Sequence, residues 1–148
     1  MRSSIRPTLQ RHPRIFLGAA IFLLALLVRL IPLGRYVTPD EPIWVMRSIR
    51  FLDAMRARSW FEIPQTGHPG LPTMVLGALG IQITRWLDPV GAVEHLNWLR
   101  NLAWLAPENA EAIRRLAVFL PAGRTLVAVT QSLGLVLVYG IGRNHVGE

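Results

Sequence analysis

Residues 15–33 read IFLGAAIFLLALLVRLIPL, and this apolar stretch decides the class of fold that we expect. A helix rises about 1.5 Å per residue, so a membrane span needs about 20 mostly apolar residues. Arginines precede the stretch, as in a signal peptide, but no small-x-small cleavage site follows it. The stretch therefore predicts a retained first transmembrane helix after a basic cytoplasmic tail, residues 1–14.

Two later apolar stretches predict two further transmembrane helices, over residues 71–87 and 125–142. Pro72 falls in the first turn of the former helix, where a missing backbone N–H costs little. Arg85 is typical of an anchor at the far interface of that span. A short tail, residues 143–148, follows the third predicted span.

Polar side chains inside the predicted spans have ordinary structural interpretations. Arg29 lies near the far end of the first span, where its long side chain can extend to the interface. Gln82 and Gln131 lie in the second and third spans, and their amides favour hydrogen bonds between helices.

The two connections between the predicted spans carry amphipathic helices. In the first connection, residues 34–70, apolar residues recur at helical spacing from position 42 to about 58, as in a helix that lies in the interface plane. The second connection, residues 88–124, has one such pattern and then a second that begins at Pro107. We therefore expect an all-α multi-pass membrane protein with three transmembrane helices and interfacial amphipathic helices.

Composition agrees with a membrane protein. The chain has 148 residues, 51% of them hydrophobic, and a formal net charge of +7 with no cysteine. All 16 basic residues are arginines, and they flank the apolar stretches. This distribution favours phospholipid headgroups over nucleic acid as the anionic partner. The missing cysteines exclude disulfides and thiolate metal sites.

Arginine bias gives an expected orientation. The tail holds four arginines and no acid, which places the N-terminus in the cytoplasm of a plasma-membrane protein. Three spans then put the loop 34–70 outside and the connection 88–124 inside. With Arg85 counted in the inner connection, nine arginines lie inside and six outside.

Asp40 and Glu41 form an acidic pair that opens the first amphipathic helix, just before Pro42. One interpretation is structural, since a carboxylate before a proline is an ordinary helix start that accepts backbone N–H bonds. The other is catalytic, since a carboxylate at a membrane edge can act as a general base if desolvation or a neighbouring acid raises its pKa. Both hold if Glu41 caps the helix while Asp40 points to a cavity.

His68 and Arg124 are further candidates. His68 stands in a Gly-His-Pro-Gly turn, on the same predicted side as Asp40, and a surface position is its ordinary interpretation. A divalent metal held by Asp40, Glu41 and His68 is conceivable, although three ligands without regular spacing give a weak metal signal. Arg124, before the third span, is either a membrane-edge anchor or a contact to an anionic phosphate.

Three motifs occur in an order that resembles a known family. They are Thr-Pro-Asp40-Glu41-Pro-Ile-Trp-Val, the loop Gln-Thr-Gly-His68-Pro-Gly, and Arg124 opening a span that ends Val-Tyr-Gly-Ile-Gly-Arg143. Together they resemble the N-terminal part of family 39 glycosyltransferases, which have the multi-span GT-C fold. This group includes protein O-mannosyltransferases and lipid A aminoarabinose transferases.

The resemblance implies a transferase that moves a sugar from a polyprenyl- or dolichyl-phosphate donor to an acceptor hydroxyl, with inversion. It implies that Asp40 is the base and Glu41 its neighbour. It also places His68 and Arg124 near the substrates. Members of the family are several times longer, so we expect this chain to be a fragment that is inactive by itself. The alternative is a small non-enzymatic membrane subunit that packs against larger partners.

Overall fold

The computed structural model describes residues 12–34, 38–64, 70–103, 105–106 and 108–146. Within these residues every regular element is helical, which confirms the all-α class. The helices are α1 (His12–Leu30), α2 (Glu41–Ala57), α3 (Leu71–Leu87), α4 (Pro89–Arg100), α5 (Ala110–Ala117) and α6 (Leu120–Val146), with a 3-10 turn at Trp60–Glu62.

Only α6, among the described residues, is long and apolar enough to cross a membrane, over Leu120–His145. The apolar part of α1 is shorter, Ile15–Leu30, and α3 has 17 residues. At about 1.5 Å per residue, α3 is about 25 Å long, less than the roughly 30 Å of bilayer hydrocarbon. The expectation of three transmembrane helices is therefore not confirmed. α1 ends before Pro32, because a proline disfavours the helical conformation of the residue before it.

The chain divides into two compact units. The first unit comprises residues 1–32 and 128–148, and so contains α1 and most of α6. In it Arg29 Nε donates to Gln131 Oε1 at 3.1 Å and Nη1 donates to the Ala25 carbonyl at 3.0 Å. The interhelical bond predicted for Gln131 is confirmed. Arg29 bonds to these partners, whereas we expected it to extend to the interface.

The second unit comprises residues 33–127 and is built around the packing of α2 on α3. Its largest cluster of buried side chains combines residues of α2, α3, α4, α5 and the start of α6: Val45, Met46, Ile49, Ile81, Ala92, Leu96, Leu99, Leu116, Phe119 and Leu120. α2 thus packs against other helices along one side, and its expected place in the interface plane stays a prediction.

Two glycines of α3 permit the close packing of this unit. A Cβ at Gly77 would overlap the Ser48 side chain of α2. A Cβ at Gly80 would lie 2.7 Å from the backbone nitrogen of Gly123. Because real Cβ atoms do not approach other atoms so closely, both helix contacts require glycine at these positions.

The connection between α3 and α6 folds as two short helices on the same core. α4 is capped by Asp88, whose Oδ1 accepts from the Gly91 N–H at 2.9 Å. α5 is capped by Asn109, whose Oδ1 accepts from the Ala112 N–H at 3.0 Å. Pro107, where we expected this second helix to begin, lies outside the described residues, and α5 begins at Ala110.

Candidate active site

Glu41 and Arg124 form a two-point ion pair in the second unit. Arg124 Nε donates to Glu41 Oε1 at 2.7 Å, and Nη2 donates to Oε2 at 2.6 Å. The third nitrogen of the guanidinium, Nη1, donates to the carbonyl oxygen of Leu33. The planar guanidinium suits a carboxylate in this paired geometry. The contact therefore joins the start of α2, the first turns of α6 and the segment after α1.

A tight turn before α2 holds Glu41 in position. The Glu41 N–H donates to the Thr38 carbonyl at 3.2 Å, and the Thr38 N–H donates to Glu41 Oε2 at 2.7 Å. Pro42 follows within the first helical turn, where its fixed φ suits the helix and its missing N–H would have had no partner. Glu41 was expected to cap α2, but its carboxylate binds the N–H of the preceding turn and the guanidinium of Arg124.

The surroundings keep Glu41 ionised. The hydrogen bond from Arg124 lowers the pKa of the Glu41 carboxyl below its usual value, and the bond from Thr38 acts in the same direction. Partial burial acts in the opposite direction and raises the pKa of Glu41. In this pair 23% of the Glu41 side chain and 18% of the Arg124 side chain remain exposed. A general base works best with a pKa near the operating pH. Glu41 is thus held in its ionised form at neutral pH and is poorly suited to take up a proton.

Asp40 occupies the N-cap position of α2 but does not cap it. Its φ and ψ are −84° and −27°, which is helical, and its side chain makes no cap hydrogen bond. A capping side chain normally needs extended backbone at that residue. Asp88 provides the comparison, with φ −133°, ψ 84° and a bonded carboxylate. The cap interpretation of Asp40 is therefore wrong.

The Asp40 carboxylate is exposed, and none of the hydrogen bonds or ion pairs described for residues 38–64 uses it. The apolar cavity that we expected around it is not formed by the described residues. The negative charge of the neighbouring Glu41 is also compensated, because Glu41 forms an ion pair with Arg124. Asp40 is therefore the member of the acidic pair whose carboxylate no described contact holds.

His68 lies outside the described residues, so its place beside Asp40 stays a prediction. Within the described ranges no three His, Cys, Asp or Glu side chains form a metal-binding group. Of the weak metal set, Glu41 already accepts hydrogen bonds from Arg124 and Thr38. A cation at this carboxylate would have to compete with both donors.

In the predicted topology with three spans, the loop that carries Glu41 lies outside and the connection that ends at Arg124 lies inside. In the structure the two side chains are joined at 2.6 Å. The assignment of residues 34–70 and 88–124 to the two sides of a membrane stays a prediction.

A second polar cluster was missed at the level of sequence. Asp53 of α2 accepts two bonds from Arg100 of α4, at 2.6 and 2.8 Å, which raises the pKa of that guanidinium. The pair borders a pocket of about 260 Å³ lined also by Met46, Arg50 and Leu102. No local signal joins Asp53 to Arg100, because 47 residues separate them and only the packing of α2 with α4 brings them together.

Comparisons with known proteins returned no matching family model, no matching curated protein and no matching solved structure.

Proposed function

We propose that this chain supplies the catalytic base of an integral-membrane glycosyltransferase that uses a polyprenyl- or dolichyl-phosphate sugar. The observation that carries the proposal is the division of roles between two adjacent acids. Glu41 is held by Arg124 and Thr38, while the Asp40 carboxylate is unbonded among the described residues and exposed. This division agrees with the resemblance to family 39 glycosyltransferases and their GT-C fold, which implies that Asp40 is the base and Glu41 its neighbour.

In the proposed reaction one oxygen of Asp40 accepts the proton of the acceptor hydroxyl. The acceptor oxygen forms a bond to the anomeric carbon from the face opposite the phosphate. The bond between that carbon and the phosphate oxygen breaks, and the lipid phosphate leaves with the electron pair. One base and no covalent nucleophile are needed, so the configuration at the anomeric carbon inverts.

The other candidates take supporting roles in this proposal. Arg124 positions Asp40 indirectly, because it fixes Glu41 and with it the first turn of α2. This differs from a direct contact to the donor phosphate, since its guanidinium already binds Glu41 and Leu33. His68 remains the candidate for contact with the donor. The acceptor and the identity of the sugar are open, and a divalent metal is not needed for the step.

The proposed location is the plasma membrane, with α6 as the best-supported span. Arg2, Arg6, Arg11 and Arg14 support a cytoplasmic N-terminus, because positive charge near a span is retained on that side. Asp40 would then face the outer side, as the resemblance implies for an acidic pair in the first extracytoplasmic loop.

A chimera tests the proposal. Residues 1–146 of this chain would replace the corresponding front part of an active family 39 enzyme, and transfer from the lipid-linked sugar would be measured. Asp40→Asn should lower turnover by about 100-fold or more, the usual contribution of a general base. Asp88→Asn is the matched control, because asparagine caps a helix as well as aspartate does and activity should persist. Full activity of the Asp40→Asn chimera would refute the proposal.

A non-enzymatic membrane subunit is the second candidate. It is favoured by the apolar side chains that α1 and α6 leave exposed, among them Leu23, Leu24, Leu137 and Val138. Such faces fit helices of larger partners as well as lipid. Mild solubilisation from the native membrane followed by mass measurement distinguishes the two, because a subunit would remain in a complex of fixed stoichiometry.

A further inference from the structure

The second unit contains a pocket of about 260 Å³ that residues of α2 and of α4 with the segment after it form together. It lies away from the acidic pair that opens α2. Asp53, which borders the pocket, follows Glu41 by 12 residues, or about 18 Å along the helix. The proposed transfer makes no use of this pocket, so its lining residues need an explanation of their own.

Part of the pocket lining is apolar and belongs to the core of the unit. Ile49 and Leu99 are each 1% exposed, and Met46 is buried beside them. Leu102, which follows α4, is half-buried and completes this part of the lining. An apolar group that entered the pocket would leave water for contact with these side chains, which is favourable.

The charged part of the lining contains one ion pair in which both partners are engaged. Arg100 Nε donates to Asp53 Oδ2 at 2.8 Å, and Nη2 donates to Oδ1 at 2.6 Å. The remaining nitrogen, Nη1, donates to Asn97 Oδ1 at 3.4 Å. Asp53 and Arg100 therefore compensate each other's charge.

Arg50 is the remaining charged residue of the lining. It stands three residues before Asp53, a spacing at which opposite charges on a helix can pair. Asp53 pairs with Arg100 instead, and none of the hydrogen bonds, ion pairs or ring contacts described for residues 38–64 and 70–103 uses Arg50. Two arginines and one aspartate thus give the pocket a net charge of +1.

We propose that this pocket binds a small monocarboxylate, with its carboxylate on Arg50 and its short apolar group against Met46, Ile49 and Leu99. Arg50 is an exposed residue, so the carboxylate binds where the pocket meets solvent and the apolar group lies deeper. The proposal does not depend on the chain being a transferase, because neither Asp40 nor Glu41 lines the pocket.

Size and charge together select this class of ligand. A volume of about 260 Å³ corresponds to about nine water molecules at roughly 30 Å³ each. It lies just below the roughly 300 Å³ at which pockets for drug-sized ligands begin, so the ligand is small. One net positive charge balances a carboxylate, whereas a phosphate monoester carries about −1.5 to −2 at neutral pH. The planar carboxylate also matches the fork of a guanidinium.

Methionine methyl signals in a nuclear magnetic resonance spectrum report on the pocket directly. Met46 lines it, whereas Met55 and Met74 do not, so the same spectrum contains the reporter and its controls. The full chain with isotope-labelled methionine methyl groups would be titrated with hexanoate at neutral pH. We expect the Met46 signal to shift and saturate while those of Met55 and Met74 stay in place. No shift at Met46 across the millimolar range, or equal shifts of all three signals, would overturn the proposal.

Two further probes separate the contributions of charge and apolar contact. Hexanol has the same hydrocarbon chain without the negative charge, and acetate has the charge with a single methyl group. Both should bind at least about tenfold more weakly than hexanoate, because each lacks one of the two interactions. Hexanol that binds as tightly as hexanoate would show a purely apolar pocket, and acetate that does so would show a surface anion site. Either result contradicts the proposal.

Substitution of Arg50 tests the assigned contact. Arg50→Gln should weaken hexanoate binding by about tenfold, the loss of one charge-assisted hydrogen bond, and should leave hexanol binding unchanged. Arg114→Gln is the matched control, since it removes the same charge from an exposed position of α5 outside the pocket. An unchanged Met74 signal in both variants shows that the packing of α3 is retained, because Met74 is buried there. Equal hexanoate affinity of the two variants would refute the role of Arg50 and with it the proposal.

Discussion

The carboxylate of Glu41 and the guanidinium of Arg124 meet through two hydrogen bonds of 2.7 and 2.6 Å, across 83 residues of sequence. This contact fixes the first turn of α2 against the first turns of α6. It also distinguishes two adjacent acids. The Glu41 carboxylate is bound by Arg124, whereas the Asp40 carboxylate makes no described hydrogen bond.

Loss of Arg124 should destabilise the second unit. Arg124→Gln leaves the half-buried Glu41 carboxylate without its main partner, and we expect a loss of about 1–3 kcal/mol of unfolding free energy. Arg114→Gln is the matched control, because this arginine is 76% exposed in its pair with Glu111 and should change stability by less than about 0.5 kcal/mol. Denaturation of both variants in the same detergent measures the difference. Equal stability of the two would mean that the ion pair contributes nothing.

Stability should fall in acid through Glu41. Its pKa is lower in the folded chain than its ordinary value of 4.5, so the unfolded chain takes up the proton first as the pH falls. The contribution is complete above about pH 4.5 and is lost as the pH falls through the lower folded pKa. Glu41→Gln should remove this part of the pH dependence, whereas Glu94→Gln, at an exposed pair, should retain it. Unfolding midpoints between neutral and acid pH give the comparison.

Replacement by alanine should lower the unfolding free energy at Asp88 but hardly at Asp40. Asp88 accepts a cap bond from Gly91, so Asp88→Ala should cost about 1 kcal/mol. Asp40 makes no cap bond, so Asp40→Ala should change stability by less than about 0.5 kcal/mol. Parallel thermal unfolding of the two variants decides the matter. A similar loss in both would return Asp40 to the role of a helix cap.

Gly80→Ala should separate α3 from the start of α6. The added methyl group would lie 2.7 Å from Gly123 N, and backbone cannot move aside as a flexible side chain can. We expect a loss of about 1–3 kcal/mol, as for other overpacked sites. Gly134→Ala is the control, since nothing lies within 4 Å of its added carbon and alanine favours helix. If Gly80→Ala proves as stable as this control, the contact between α3 and α6 is wrong.

Local sequence predicted the bounds of α3 correctly. Residues 71–87 were predicted as a helix, and α3 has these bounds, since Pro72 suits a first turn and Asp88 is held out of the helical region by Pro89. What the local pattern could not supply was the environment of α3. A stretch of apolar residues has the same pattern in a helix that contacts lipid and in a helix that packs, as α3 does, against another helix such as α2.

The candidate site was predicted in part. The acidic pair was recognised from two carboxylates before Pro42. The roles of these carboxylates depend on partners that are distant in the sequence, such as Arg124. Arg124 was recognised beside an apolar run, but its contact with Glu41 was not predicted, because 83 residues separate the two in the sequence. His68 lies outside the described residues, so its prediction stands untested.

The sequence by itself determined that the chain is helical, where α3 begins and ends, and that its apolar stretches suit a membrane. These properties depend on interactions between residues a few positions apart. Only the tertiary structure decided that Glu41 binds Arg124, that Asp40 remains unbonded among the described residues, and which face of α3 is covered. The physical reason is that these contacts join residues that are close in space but distant in the sequence, so no local pattern of residues predicts them.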